Sequence, residues 1–409
     1  MGCQSGYRFA YDSRTADFDD VFVRKEYFSE GGLWLWGRNC AGSLGTGIAA
    51  SASTSSSPIQ TISGGTNWKQ LSVGHFGVAG IKTDGTLWLW GYNVQGKLGT
   101  NSIISQSSPV QTVSGGTNWK QVFISHNFTA AIKTDGTLWT WGSNEDGQLG
   151  INSNIKSSSP VQTVSTGTNW KEVSVGSSTA SASGTAISSK IAAIKTDGTL
   201  WLWGSGTSGQ LGTNAAVSAS SPVQTISGGT NWKQVSLSTF HAAAIKTDGT
   251  LWLWGAGAGG KLGINSQVDI SSPIQTVSAG TNWKQVSAGN FYTAAIKTDG
   301  TLWTWGCNSS HGQLGDDTQT NRSSPVQTVS GGTNWKYLAA GGTAVAAIKT
   351  DGTLWTWGSN EDGELGDGTR TNRSSPVQTV SGGTNWKTVQ VSSNDTNDQI
   401  TAGIREDCW

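Results

Sequence analysis

Apolar and polar positions along the chain alternate in short runs and do not follow a helical period. In AAIKTDGTLWTWG, at Ala130–Gly142, two alternating runs flank an Asp-Gly pair, a strong short-range hairpin signal. Period two in Leu138-Trp139-Thr140-Trp141 puts both indoles on one face and Leu138 and Thr140 on the other. The segments PVQTVS and WKQVS supply two more short strands, separated by turn-prone GGTN. No 3.6-residue pattern of useful length survives between the Gly and Pro signals, which argues against a helical repeat.

This four-strand pattern recurs along the chain. IKTDGTLWTWG stands at Ile132–Gly142, Ile296–Gly306 and Ile348–Gly358, and with Leu for the second Thr at Ile81–Gly91, Ile194–Gly204 and Ile245–Gly255. The Trp pairs of LWxWG are Trp34 and Trp36, Trp88 and Trp90, Trp139 and Trp141, Trp201 and Trp203, Trp252 and Trp254, Trp303 and Trp305, and Trp355 and Trp357. Each is followed by an SSP[VI]QT segment holding one of the seven prolines, and then by NWK. A period near 50 with four strands per unit predicts an all-β fold, a β-propeller of four-stranded blades. Identical positions in such a ring meet identical surroundings, so the Trp pairs are expected in the cores between neighbouring blades.

The ends complete the count. The first LWxWG, Leu33–Gly37, has no NWK before it and is read as the last strand of a blade. The final NWK has no LWxWG after it, and AGIRED at Ala402–Asp407 matches AAIKTD. The expectation is seven blades, with strands from both termini sharing one blade and closing the ring; closure covers edges that would otherwise stay unpaired. The repeat unit is taken as residues 31–409. Residues 1–30 form a separate segment, either a docking element or an edge strand, with Asp17, Phe18, Asp19, Asp20 and Phe22 as candidate docking residues.

TAAIKTDGTLWTWGSNEDGQLG followed by DGTRTNRSSPVQ resembles the regulator of chromosome condensation repeat, in the style of its bacterial and phage members. The resemblance runs from about Leu33 to the C-terminus and implies a seven-bladed propeller closed by both ends. The eukaryotic founders of that family exchange guanine nucleotide on a small GTPase and bind chromatin, using an inserted wedge and acidic loop residues that have no match here. The plant ultraviolet-B photoreceptor of the family carries a Gly-Trp-Arg-His-Thr motif absent from this chain. Its place is taken by segments such as GNFYTAA at Gly289–Ala295 and STFHAAA at Ser238–Ala244. The resemblance gives His241 a structural role against its hairpin.

Charge and chemistry narrow the reading. Lys and Arg number 26, balanced by 26 Asp and Glu, so no positive field gathers nucleic acid, and that class of partner is disfavoured. The lysines of NWK and IKTDG are expected as rings of like charge, muted by the hairpin aspartates. No apolar run spans a membrane, and the N-terminus has no apolar core of a secretory signal. Cys3, Cys40, Cys307 and Cys408 show no metal-ligand spacing and are read as free thiols. His75, His126, His241 and His311 lie in separate units and form no metal site. Glu145-Asp146 and Glu361-Asp362 occupy a loop, and Asp316-Asp317 and Asp367 read as turn residues. GxLG follows every Trp strand but lacks the helix needed to cradle phosphate.

No catalytic site, cofactor or metal is therefore expected. Variation is confined to residues 1–30, the insertion Ser177–Lys190 and the connections between LG and SSP, such as TNSIISQ and INSNIKS. The function read from this is a non-catalytic binding or scaffold propeller presenting variable loops. It is expected as a virion or cell-surface structural protein of the phage fibre or decoration type, facing a protein partner or a host-surface receptor, with a glycan as one option. The expected location is a virion or extracellular surface. The alternative is a cytoplasmic regulatory module of the nucleotide-exchange or chromatin-binding type.

Overall fold

The computed structural model describes residues 31–48, 53–62, 65–164, 167–176, 188–278, 280–309, 311–393 and 399–406. The candidate docking residues Asp17 to Phe22, residues 177–187 of the insertion, Cys3 and Cys408 lie outside them. The described residues are all β apart from one 3-10 turn at Ala258–Gly260.

One unit shows how the sequence builds each sheet. Trp119–Ile124, Phe128–Lys133, Leu138–Gly142 and Ser157–Gln162 lie side by side, antiparallel and in chain order. Five sheets have this four-strand form. The LWxWG strand is third in its sheet and the SSP strand fourth and outermost. This corrects the expectation that LWxWG closes a blade.

The hairpin between the second and third strands holds Thr134-Asp135-Gly136 inside the Lys133–Thr137 pair, with Gly136 at φ 79°. A side chain there would also meet Thr168 O at 2.1 Å, so only glycine fits. Asp135 Oδ1 accepts from the amide and hydroxyl of Thr137, which hold its carboxyl below the usual range.

The remaining strands share one eight-stranded sheet. Gly31–Asn39 pairs with Ile400–Glu406 from Gly31↔Glu406 to Gly37↔Ile400, and on its other side with Ser53–Gln60. Trp386–Val391 flanks Ile400–Glu406. A single pair, Gly31↔Trp68, joins these four strands to the sheet that begins at Trp68–Gly74.

The cores lie between sheets. Ala79, Ile81, Leu87 and Leu89 of one sheet pack with Trp119, Val122, Ala131 and Trp141 of the next, and six further clusters are built in the same way. The second Trp of every LWxWG is fully buried at 0% exposure. Its indole N–H crosses the gap to the carbonyl of the x residue in the preceding unit's GxLG. Trp141 donates to Lys97 O at 2.7 Å, Trp90 to Ser43 O at 3.0 Å and Trp36 to Glu364 O at 2.8 Å. The same bond recurs from Trp203, Trp254, Trp305 and Trp357. GxLG is thus the socket for a neighbour's tryptophan, because a Cβ on Gly99 would stand 2.8 Å from Trp141 Nε1.

Candidate functional site

The first Trp of each LWxWG is half-buried and holds a cation. Lys133 Nζ lies 4.8 Å from the ring centre of Trp119 and 4.4 Å from that of Trp139, while Trp139 Nε1 donates to Thr137 Oγ1. Lys82, Lys195, Lys246, Lys297 and Lys349 repeat the arrangement, and Arg405 takes the place between Trp34 and Trp386. The IKTDG lysines, expected as a ring of like charge muted by the hairpin aspartates, are each held between two indoles as well. Each ammonium is held against two indole faces, an attraction of about 0.5–2 kcal/mol.

The NWK strands line a cavity of about 320 Å³. Their free edge carries unpaired backbone groups, and side chains satisfy many of them across the gaps between successive strands from Trp68–Gly74 to Trp335–Ala340. Gln70 donates through Nε2 to Val122 O and accepts through Oε1 from Val122 N, both at 2.9 Å. Gln234 does the same with Val286 at 3.0 Å. Ser72, Ser174, Ser236 and Ser287 accept the next strand's amide two residues on.

Glu172 stands where its sister units have Gln70, Gln121, Gln234 and Gln285. Its Oε1 accepts from Val235 N at 3.0 Å, and burial pushes its carboxyl up to about 7. A protonated carboxyl has the donor and acceptor pair of the amide it replaces; a carboxylate has only acceptors. Glu364 repeats the exchange at the GxLG position of Gln148, Gln210 and Gln313. Its Oε2 accepts from Asp362 N, and burial again raises it to about 7.

The buried cations also serve the frame. Lys97 Nζ donates to His75 O at 2.5 Å and His126 O at 2.8 Å, bridging two first-hairpin loops, and burial lowers it to about 7. Lys190 Nζ reaches Thr239 O in the same fashion. His241 is wedged between Ser238 Oγ and Thr293 Oγ1, each at 2.8 Å. Thr293 donates onward to Lys261 O, so Nε2 carries the proton of a neutral ring. Burial holds that histidine well below its ordinary value. The rings of His75 and His126 stack at 4.2 Å. Among the described residues no group of three or more His, Cys, Asp and Glu could hold a metal, and no helix is long and apolar enough to cross a membrane. Cys307 is a free thiol.

The variable connections face outward, and many of their side chains are not committed to this frame. Each is anchored on the next sheet: Asn101 N donates to Ser158 O, Asn152 N to Ser220 O and Asn214 N to Ser271 O, at 2.9–3.0 Å. The anchoring residue is in the left-handed region, at φ 54° for Asn101, a conformation Asn tolerates. This recurring Asn was visible inside segments that otherwise read as variable. In the last two connections Asp316 pairs with Arg322 and Asp367 with Arg373, and Asn308 and Asn360 bond the same carboxylates. Those aspartates do more than form a turn.

A repeat array of four-stranded sheets locked by tryptophan sockets is the class these features define. The chain belongs to the family of the regulator of chromosome condensation (RCC1) repeat, whose model matches residues 84–132, 135–182, 197–245, 248–296, 299–348 and 351–396. It is 26% identical over 401 residues to the RCC1 domain-containing protein RUG3, mitochondrial, of Arabidopsis thaliana, covering 89% of this chain and 84% of that one. It is 28% identical over 356 residues to the human E3 ubiquitin-protein ligase HERC2, which takes in 83% of this chain but only 7% of HERC2. Prp20p of Saccharomyces cerevisiae, described with its binding to Gsp1p and histones, superposes with a TM-score of 0.76 at 17% identity, over 92% of this chain and 91% of that one. RUG3, named as mitochondrial, overturns the expected virion or extracellular surface and points inside the cell, and the cytoplasmic alternative stays open.

Proposed function

We propose that the chain is an intracellular, non-catalytic regulatory module that binds a protein partner through its variable connections. The observation that carries this reading is the division of labour among side chains. Buried Gln, Ser, Lys and His groups are spent on bonds between sheets, whereas the connections between GxLG and SSP offer side chains to solvent on a fixed backbone. The four strands Trp386–Val391, Ile400–Glu406, Gly31–Asn39 and Ser53–Gln60 would make a seventh blade that closes the ring. The indole bonds from Trp36 to Glu364 and from Trp90 to Ser43 support this, since they link that blade to both neighbours.

The test is crosslinking of the tagged chain in its source cells, followed by hydrogen-exchange footprinting of the captured complex. Protection over residues 100–106, 151–157 and 213–219 is expected. Protection confined to the TDGT hairpins, or no intracellular partner, would overturn the reading. The similarity to Prp20p favours a small GTPase or a histone as partner class. Faster GDP release from a GTPase would identify the first, and co-sedimentation with histones the second.

A further inference from the structure

Exposed aliphatic side chains are distributed unevenly over the connections. In five successive ones Ile48, Ile103, Ile104, Ile155, Val217 and Val268 leave 56–75% of their surface to solvent. The equivalent stretches of the last two units, Thr318–Arg322 and Thr369–Arg373, hold only Thr, Gln, Asn and Arg. The aliphatic residues are not scattered, because every connection is bonded to the next sheet: Gly47 N to Ser107 O at 3.0 Å, then Asn101, Asn152 and Asn214 onward. The five connections therefore follow one another along one arc. Lys156 and Asp269 are the only charged residues in these five connections.

We infer that this arc is a self-association face, on which a second copy of the chain packs arc to arc about a two-fold axis. This rests on the reading of the connections as a recognition surface and names its occupant. Three observations favour a second copy. First, the six side chains expose roughly 600 Å² together, and the intervening Ser, Thr and Asn bring this near the ~800 Å² per partner of a standard interface. Second, the arc is built from one loop repeated at a fixed interval, so a two-fold copy presents the same spacing, as an isologous contact requires. Third, the chain is neutral, with 26 charges of each sign, so copies approach without repulsion. Apolar patches of this extent mark interaction sites on soluble proteins.

Sedimentation velocity of the full chain from ~0.5 to ~50 µM tests this, and a dimer is expected within that range. The Ile104→Asp/Ile155→Asp double variant should weaken association by about 100-fold or more and leave the melting temperature unchanged, since both side chains are exposed. Thr320→Asp/Thr371→Asp, at the polar end, should leave the dimer intact. A wild-type monomer at every concentration overturns the inference, as does a dimer that survives the double variant or is lost equally in the control. If the wild type is a monomer while a captured partner still protects residues 100–106, self-association alone has failed. Loss of both results removes the recognition reading as well.

Discussion

Glu172 offers a test in which the chain supplies its own controls. Four sister units place Gln at this seam, so Glu172→Gln restores an arrangement already present at Gln70–Val122 and Gln234–Val286. The carboxyl sits at about 7 in the folded chain against an ordinary 4.5, and desolvation is the principal cause. A raised carboxyl binds more protons in the folded state than in the unfolded one. Its stabilising contribution is therefore complete below about 4.5 and is lost as pH rises through 7. The total loss is about 3 kcal/mol at 1.36 kcal/mol per pH unit. Part of it has already gone at pH 5, so the advantage of the Gln variant should grow by about 2–3 kcal/mol between pH 5 and pH 8.5.

Urea unfolding of both proteins at the two pH values, followed by tryptophan fluorescence, measures that growth directly. Exchange of the Val235 amide, which donates to Glu172 Oε1, gives a local readout of the same seam. The amide's bond to Oε1 survives ionisation, so faster opening of this amide at pH 8.5 in the wild type, and not in the variant, would report loosening of the seam as a whole. A stability gap independent of pH would refute the reasoning, and so would a variant that is less stable at pH 8.5.

Glu364→Gln should reproduce the pH-dependent gain, because its carboxyl is also raised to about 7 and its neighbours Gln148, Gln210 and Gln313 show the neutral form is accommodated; paired melting curves at pH 5 and 8.5 check it. Trp141→Phe removes the indole N–H that reaches Lys97 O, and should cost about 1–3 kcal/mol in urea unfolding. Gly99→Ala should cost at least as much, since its Cβ would press on Trp141 Nε1 at a residue with φ 68°. Lys133→Met keeps the alkyl stem over Trp119 and Trp139 but loses the cation, for an expected loss of about 0.5–2 kcal/mol by the same measurement.

Most of the strand inventory was legible in sequence because alternation, Asp-Gly and Pro repeat together. The membership of each sheet was not. A periodic sequence has no natural starting point, so grouping the SSP strand with the NWK strand that follows it is as regular as grouping it with the LWxWG strand before it. Hydrogen bonding decides for the latter. The Lys133 clamp was hidden because its two indoles lie 14 and 6 residues away and meet only in the folded register. Glu172 was within reach: the residue after NWK runs Gln, Gln, Glu, Gln, Gln, Tyr, Thr, and the single carboxylate stands out once the units are aligned. The Asp316–Arg322 and Asp367–Arg373 pairs could also have been found, because DDTQTNR and DGTRTNR alone among the connections hold an acid and a base six residues apart.

The pairing of Gly31–Asn39 with Ile400–Glu406 bears on synthesis. A ribosome releases the first strand long before the last, because Ile400 follows Asn39 by 361 positions (400 minus 39). At about 5–20 residues per second the early strand waits roughly 20–70 s for its neighbour. Ser53–Gln60 can occupy one of its edges at once, but the other stays open for the whole interval. Nascent chains of this protein thus carry an unmet strand edge through nearly all of translation, a window in which a chaperone would bind and a completed molecule would not.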